Sequence, residues 1–201
     1  MQAIPSCPTR IRRSRHSLHD TAREFGRRYA VWKMTVLRCT AKLLKEIGAP
    51  ATDIREFSRQ GQLGSWHANI FRIERHKAII FTNDKTLYSI VVAGIKKRNI
   101  VNIDELFREQ LFAHLKSMRI DNEKFNQVME DAAQVIIGKT NNRSVLGSMN
   151  DHVSATIFQV RYDGGYPHLN IKDINERLND TPMKGIGYAG SKEKLEQLLG
   201  A

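Results

Sequence analysis

Residues 77–93 read Lys-Ala-Ile-Ile-Phe-Thr-Asn-Asp-Lys-Thr-Leu-Tyr-Ser-Ile-Val-Val-Ala, and this stretch decides the fold class. The apolar run Ala78–Phe81 is typical of a strand covered on both faces. Asn83–Lys85 predicts a turn, because Asn and Asp tolerate the left-handed backbone and bond locally, and Thr86–Ala93 predicts the next strand. Another strand is predicted over Trp66–Glu74, so short connections would join three strands in an antiparallel meander.

Upstream of the meander the sequence predicts one strand and one helix. β-Branched residues favour a strand over Thr35–Cys39. Thr40 is placed to cap a short helix over Ala41–Ile47 that a glycine ends. The polar segment Ala49–Gly64 predicts a loop with a helical turn near Asp53–Arg59.

Downstream of the meander, apolar residues recur mostly at helical spacing. In chain order the predicted elements are a helix over Ile103–Met118, a helix from Asp121, a strand over Gln134–Lys139, a helix over Arg143–Val160, a helix capped by Asn170, an extended segment over Met183–Tyr188 and a helix over Ser191–Leu199. Lys96–Arg98 is expected to form a basic loop, and Asn102 with Glu105 has capping-box spacing. The pattern predicts an α+β fold, an antiparallel β-meander of about three to five strands packed against several helices, in a single domain over residues 34–201.

The 33 residues before this domain differ from it in charge. They hold eight basic residues against two acidic ones, a net +6 of the chain's +11. They lack the apolar core of a secretory signal. We expect a basic, disordered extension, which is either an inert tail or start-site artefact, an organelle transit peptide, or an arm that binds phosphates. The remaining +5 of the domain is weak evidence for a nucleic-acid partner.

The composition also bears on compartment and on metal chemistry. The longest apolar runs, such as Ile90–Ala93, are far shorter than the ~20 residues that cross a bilayer, which predicts a soluble protein without a membrane partner. Cys7 and Cys39 suggest neither a disulfide framework nor a zinc site, and this fits a reducing cytoplasm with Cys39 in the core. The histidines lack metal-ligand spacing. We therefore expect no metal and no cofactor.

The most unusual stretch is residues 139–151, where a predicted strand leads into a predicted helix. A helix start offers free backbone N–H groups and the positive end of the helix dipole. Together with Lys139, Arg143 and Ser144, such a start could hold a phosphate or a carboxylate. In the alternative interpretation, Asn142 or Ser144 merely caps the helix, and Arg143 pairs with an acid.

The segment Trp66–Asn69 is the second candidate. On a strand, its first and third residues face one way, while His67 and Asn69 face the other. His67 is a candidate general base, although a lone strand histidine is more often a surface or hydrogen-bonded residue. Asn83 is most simply a turn residue, and alternatively reaches the same end of the sheet as Asn142.

Four segments together resemble a bacterial family that carries only a domain-of-unknown-function label. They are Leu37–Leu44, Gly64–Asn69, Asn141–Asp151 (NNRSVLGSMND, the most specific) and Leu178–Met183. The resemblance covers about residues 34–188. It implies a bacterial, cytoplasmic protein whose domain starts at Met34, and it supplies no activity and no catalytic residue.

Three functions remain as hypotheses. The first is a binding or regulatory module that recognises an anionic ligand or nucleic acid through Lys139, Arg143 and Ser144. The second is a protein-interaction component of a two-protein bacterial system, acting through a helix face. The third is a small hydrolase or transferase that uses His67. The sequence does not fix the oligomeric state.

Overall fold

The computed structural model describes residues 34–48, 51–52, 60–118 and 120–200. The expected basic extension over residues 1–33 and the expected helical turn over residues 53–59 lie outside the described residues. Within them the chain forms seven α-helices, a five-stranded sheet and a two-stranded sheet. The predicted α+β class is therefore confirmed.

The elements are numbered here in chain order. The strands are β1 (Thr35–Cys39), β2 (Trp66–Ile73), β3 (His76–Asn83), β4 (Ser89–Ala93), β5 (Val135–Lys139), β6 (Pro182–Met183) and β7 (Ala189–Gly190). The helices are α1 (Ala41–Ile47), α2 (Lys97–Val101), α3 (Ile103–Lys116), α4 (Asn122–Asp131), α5 (Arg143–Tyr162), α6 (Ile171–Asp180) and α7 (Ser191–Leu199). Within the described ranges, none of these helices is both long enough and apolar enough to cross a membrane.

The large sheet is mixed, with strand order β4-β3-β2-β1-β5. Strands β2, β3 and β4 form the predicted antiparallel meander. The prediction of a wholly antiparallel sheet is wrong, because β1 lies inside the sheet and pairs in parallel with both β2 and β5. Leu37 lies opposite Trp66 on one side and Ile137 on the other. Parallel neighbours need long crossover connections, so short connections along the chain could reveal only the meander.

Helices cover both faces of the sheet. On one face, Leu37, Trp66 and Phe81 belong to a large apolar core that also contains buried residues of α1, α2, α3, α4 and α7. On the other face, Phe71 and Ile80 belong to a smaller core shared with α5 and α6. Burying a side chain such as Phe81 stabilises the fold by about 1.5–3 kcal/mol relative to exposing it.

Several predicted helix caps are confirmed. The Thr40 hydroxyl accepts a hydrogen bond from the backbone N–H of Leu43 at the start of α1. Gly48 ends that helix with a φ of 75°, a left-handed conformation that glycine adopts without strain. Asn170 accepts from the backbone N–H of Asp173 at the start of α6.

Strand β4 begins later than predicted, at Ser89 rather than at Thr86. The side-chain oxygen of Asn83 accepts hydrogen bonds from the backbone N–H groups of Lys85 and Thr86. Leu87 then adopts a φ of 57°. The turn therefore extends into what the apolar pattern predicted as strand.

Two further local predictions are wrong. Lys96–Arg98 is not a loop, because α2 begins within this basic group. The Asn102 side chain makes no capping hydrogen bond; its backbone N–H donates to the carbonyl of Arg98 and so ends α2. The expected extended segment Met183–Tyr188 also contains a 3₁₀ turn at Lys184–Ile186.

The outer edge of β4 pairs with side chains where another strand would normally pair. Asn179 accepts from the backbone N–H of Ser89 (2.7 Å) and donates to its carbonyl (2.7 Å). Asn175 makes the same two contacts with Val91, at 2.7 Å and 3.0 Å. The carbonyl of Tyr88 accepts from β3, so the alternation of an antiparallel pair directs the groups of Ser89 and Val91 outward.

The spacing of the two asparagines explains why a helix can do this. Four residues of helix rise about 6.0 Å, and two residues of strand rise about 6.8 Å. Residues four apart on α6 therefore match alternate residues of β4. An asparagine amide carries one acceptor and a donor, as a peptide group does. Helix α6 thus covers an edge that would otherwise invite another strand.

Replacing Asn179 by Leu is expected to lower the free energy of unfolding by about 2–4 kcal/mol, because both buried backbone groups of Ser89 lose their partners. Urea denaturation of the full chain measures this. The control is Glu176→Leu, at an exposed position of α6, which is expected to change the stability by no more than about 0.5 kcal/mol. Equal stability of the two variants would contradict the edge-pairing role.

Candidate functional site

Trp66 lies in the large core and not in a cleft. Its side chain is fully buried, and its ring meets Phe107 edge-on, with 5.3 Å between the ring centroids. Its indole N–H has no acceptor within the described part of the chain. This environment gives Trp66 a packing role, on the sheet face opposite to the one that carries His67.

His67 is completely buried on the second sheet face. Its Nδ1 lies 2.5 Å from Oδ1 of Asp84, which fixes the orientation of the ring. The register places Arg38 of β1 beside it. Two neighbouring nitrogen atoms, Nε2 of His67 and Nε of Arg38, are buried without a hydrogen-bond partner among the described residues.

Asn69 and Asn83 make local structural contacts. The Asn69 side-chain oxygen accepts from the Thr40 hydroxyl (2.9 Å), which ties β2 to the start of α1. Asn83 is fully buried, and its side chain holds the β3–β4 turn and donates to the carbonyl of Leu63 (2.9 Å). The turn interpretation of Asn83 fits these contacts. Asn83 is also the register partner of Trp66, so these two predicted site residues lie on adjacent strands.

The strand-to-helix junction over residues 139–144 is exposed and capped. The side-chain oxygen of Asn142 accepts from the backbone N–H groups of Ser144 (3.0 Å) and Val145 (3.3 Å), so two N–H groups of the helix start are already used. Lys139, Arg143 and Ser144 have exposed side chains. An anion site at this junction stays a prediction.

Arg38 is a partial link between the two predicted regions. Its guanidinium donates to the carbonyl of Lys139 (3.4 Å), and its strand position is next to His67. Within the described ranges, no hydrogen bond or ion pair joins Arg143 or Ser144 to His67. A common cleft for these segments therefore stays a prediction.

A row of polar side chains, which sequence reasoning missed, extends from His67 across the second face. Thr82 is the register partner of His67, and Ser89 is the register partner of Thr82. The two hydroxyl oxygens are 2.8 Å apart, and Nδ1 of His152, from α5, lies 2.7 Å from Oγ of Ser89. All three side chains are buried. The row anchors α5 to the sheet by hydrogen bonds as well as by apolar packing.

A concave pocket of about 730 Å³ lies beside the outer edge of β4. We call it the β4-edge pocket. Residues of β4, α3, α6, α7 and the Tyr166–Leu169 region line it, and Val91, Val92, Ala93 and Ile171 give it an apolar part. Its volume is in the range of about 300–1,000 Å³ that is usual for small-molecule sites.

Two aromatic groups of this pocket form a neutral hydrogen-bonded pair. The Tyr88 hydroxyl lies 3.0 Å from Nδ1 of His114. Burial lowers the pKa of His114 below its usual value of 6.5, so the ring is neutral near pH 7. Burial also raises the pKa of Tyr88, with a smaller contribution from nearby carboxylates. The pair therefore offers hydrogen bonds without a net charge.

Charged side chains line the pocket on α6 and α7. Lys172 lies on α6, with its ammonium 3.9 Å from the carboxylate of Glu176. Lys192 lies on α7, and it forms no ion pair with any described residue. Both lysines are exposed. The charge along the pocket is thus two positive groups against one negative group, which favours an anion over a cation.

Sequence reasoning missed this pocket because its walls come from distant parts of the chain. One signal was present: Asn175 and Asn179 lie four residues apart and alternate with Ile174 and Leu178 on the buried side of α6. Polar residues inside an apolar helix face need partners, and here those partners mark the free edge of β4.

Comparison with known proteins gives one match. A family model described as a domain of unknown function (DUF6933) matches residues 36–194. All four segments that carried the resemblance lie within this match, so the resemblance is confirmed. No curated protein matches the chain.

The buried His152 is expected to make the stability depend on pH. Burial lowers its pKa below the usual 6.5, although nearby Asp151 partly opposes this. The unfolded state therefore binds the proton first as the pH falls, so this contribution to stability is present above about pH 6.5 and is lost below it. Urea denaturation between neutral and mildly acidic pH should show a smaller loss for His152→Gln than for the original chain. His168→Gln, at an exposed position, is the control, and an equal loss in all three proteins would contradict the expectation.

Proposed function

The chain belongs to the DUF6933 family, whose description names no activity, and we propose that it is a binding module that takes a small organic anion in the β4-edge pocket. The observation that carries this proposal is the pocket of about 730 Å³ itself, which combines an apolar part with hydrogen-bonding groups and two lysines. The bacterial origin and cytoplasmic location expected from the sequence remain part of the proposal.

The apolar part of the pocket supports a ligand with an organic body. Val92, Ala93 and Met118 offer a surface that gains by excluding water, and inorganic phosphate alone would not use it. Tyr88 and Tyr166 also line the pocket and suit a flat ring. An aromatic or similarly compact apolar body therefore fits better than a bare ion.

The polar groups support a negative charge on that ligand. Lys192 is free of ion pairs within the described residues, and Lys172 is held only loosely by Glu176. Their positive charge would attract a carboxylate or a phosphate. The Tyr88–His114 pair can bond a polar atom of the ligand without adding charge, which would help to fix its orientation.

The other sequence hypotheses receive less support from the same geometry. A concave pocket of this size suits a small molecule more than a nucleic-acid strand, and over half of the net charge lies before the domain. A hydrolase based on His67 would need substrate to reach a ring that is completely buried. A protein-interaction role needs a separate surface.

The proposal is tested with paired probes that differ only in charge. The probes are aromatic carboxylates (benzoate, naphthoate and indole-3-acetate), each with its uncharged amide, titrated into the full chain by protein NMR. We expect the carboxylates to bind more tightly and to shift the signals of Val92 and Ala93. Lys192→Ala should weaken carboxylate binding by about tenfold, because a charged hydrogen bond contributes about 1.5 kcal/mol or more.

A matched control is available on the same helix. Lys194 is not part of the pocket wall, and its ammonium bonds to Gln197. Lys194→Ala should therefore leave binding unchanged. Equal binding of acids and amides would overturn the choice of an anion. Signal shifts at Lys139–Ser144, without shifts at the pocket, would move the site to the junction predicted from sequence.

A further inference from the structure

The outer face of α5 is exposed along the whole helix. Solvent-exposed positions recur at helical spacing from Ser144 through Gly147, Asp151 and Ala155 to Phe158 and Tyr162. The opposite side of the helix is anchored by Met149 and His152, so the exposed side cannot turn inward. None of these residues lines the β4-edge pocket.

Gly147 has no role that can be read from the described contacts of the chain. It lies inside the 20-residue helix, and a Cβ atom built there would meet nothing within 4 Å. Neither a tight turn nor close packing within the chain therefore requires a glycine. Glycine in a helix interior costs about 1 kcal/mol relative to alanine. Its one physical advantage here is the shallow hole that it leaves on the helix surface.

Two large aromatic side chains project from the other half of the same face. Phe158 is 70% exposed and Tyr162 is 79% exposed. Their rings stack on each other, with 6.4 Å between the centroids. They form a ridge of fixed shape, and exposing it to water is unfavourable. The face thus has a small-residue half and an aromatic half.

We propose that two copies of the chain associate through this face, with their α5 helices antiparallel. In such a pair, residues at equal distances before and after the centre meet across a two-fold axis. With the centre near Val153, Phe158 of each copy meets Gly147 of the other, and Tyr162 meets Ser144, to within one residue or about 1.5 Å of rise.

Charge supports the same alignment. Arg143 lies ten residues before Val153, and Asp163 lies ten residues after it. Both side chains are exposed, so the proposed pairing forms two Arg143–Asp163 ion pairs, one at each end of the interface. A parallel arrangement would set like charges and like halves against each other. The face is therefore complementary to itself, which selects a second copy as its partner.

A single helix pair forms a small interface, so the dimer should depend on concentration. Sedimentation velocity of the full chain over a wide concentration series should show a monomer–dimer equilibrium. Gly147→Leu fills the proposed hole and should raise the dimer dissociation constant by at least about tenfold. Leu favours helix more than Gly does, so loss of the dimer in this variant would not result from unfolding, and thermal denaturation checks this.

Two further variants separate a specific interface from general stickiness. Glu109→Leu adds the same side chain at an exposed position of α3 and should leave the equilibrium unchanged. Arg143→Asp should weaken the dimer, and combining it with Asp163→Arg should restore it, because the pair is reformed with reversed charges. A chain that stays monomeric at every concentration, or a dimer that Gly147→Leu does not weaken, would overturn the proposal.

Discussion

A strand at the edge of a sheet carries backbone groups that need partners, and the arrangement around β4 depends on this constraint. Asn175 and Asn179 supply the partners from a helix, in both directions and at two successive outward positions. The match fixes the height and direction of α6 along the sheet. With α6 fixed on one side and α3 on the other, a gap remains beside the edge, and this gap is the pocket. One set of four hydrogen bonds therefore determines both an edge closure and a concave surface.

The parts of the fold that the sequence predicts are those set by neighbouring residues. Alternation and turn chemistry predicted the β2–β3–β4 meander, and capping predicted the start of α1 at Thr40. The pairing of β1 was not predictable in this way, because Leu37 meets Ile137 a hundred residues later. Apolar periodicity reports whether a segment is covered and does not report what covers it. The late start of β4 has a different cause, since the side chain of Asn83 overrides the strand preference of the residues after it.

The candidate site was less accessible to prediction than the fold. The polar residues that stood out in the sequence, such as Asn83 and Asn142, prove to hold a turn and to cap a helix. The pocket residues did not stand out, because Tyr88, His114 and Lys192 become neighbours only when three elements meet. A histidine such as His152 gives no sequence signal of its own, and its hydrogen bond to Ser89 depends on how α5 crosses the sheet.

The interior position of β1 has a consequence for the time at which the sheet can be completed during synthesis. Its partner β5 is added to the growing chain only after the meander and four helices. Until then one side of an apolar strand remains open, and contacts of such sequence separation close slowly. A nascent chain stopped before Val135 would present that open side to other nascent chains or to chaperones. The stage of greatest risk for this protein thus lies late in translation, when most of its helices already exist.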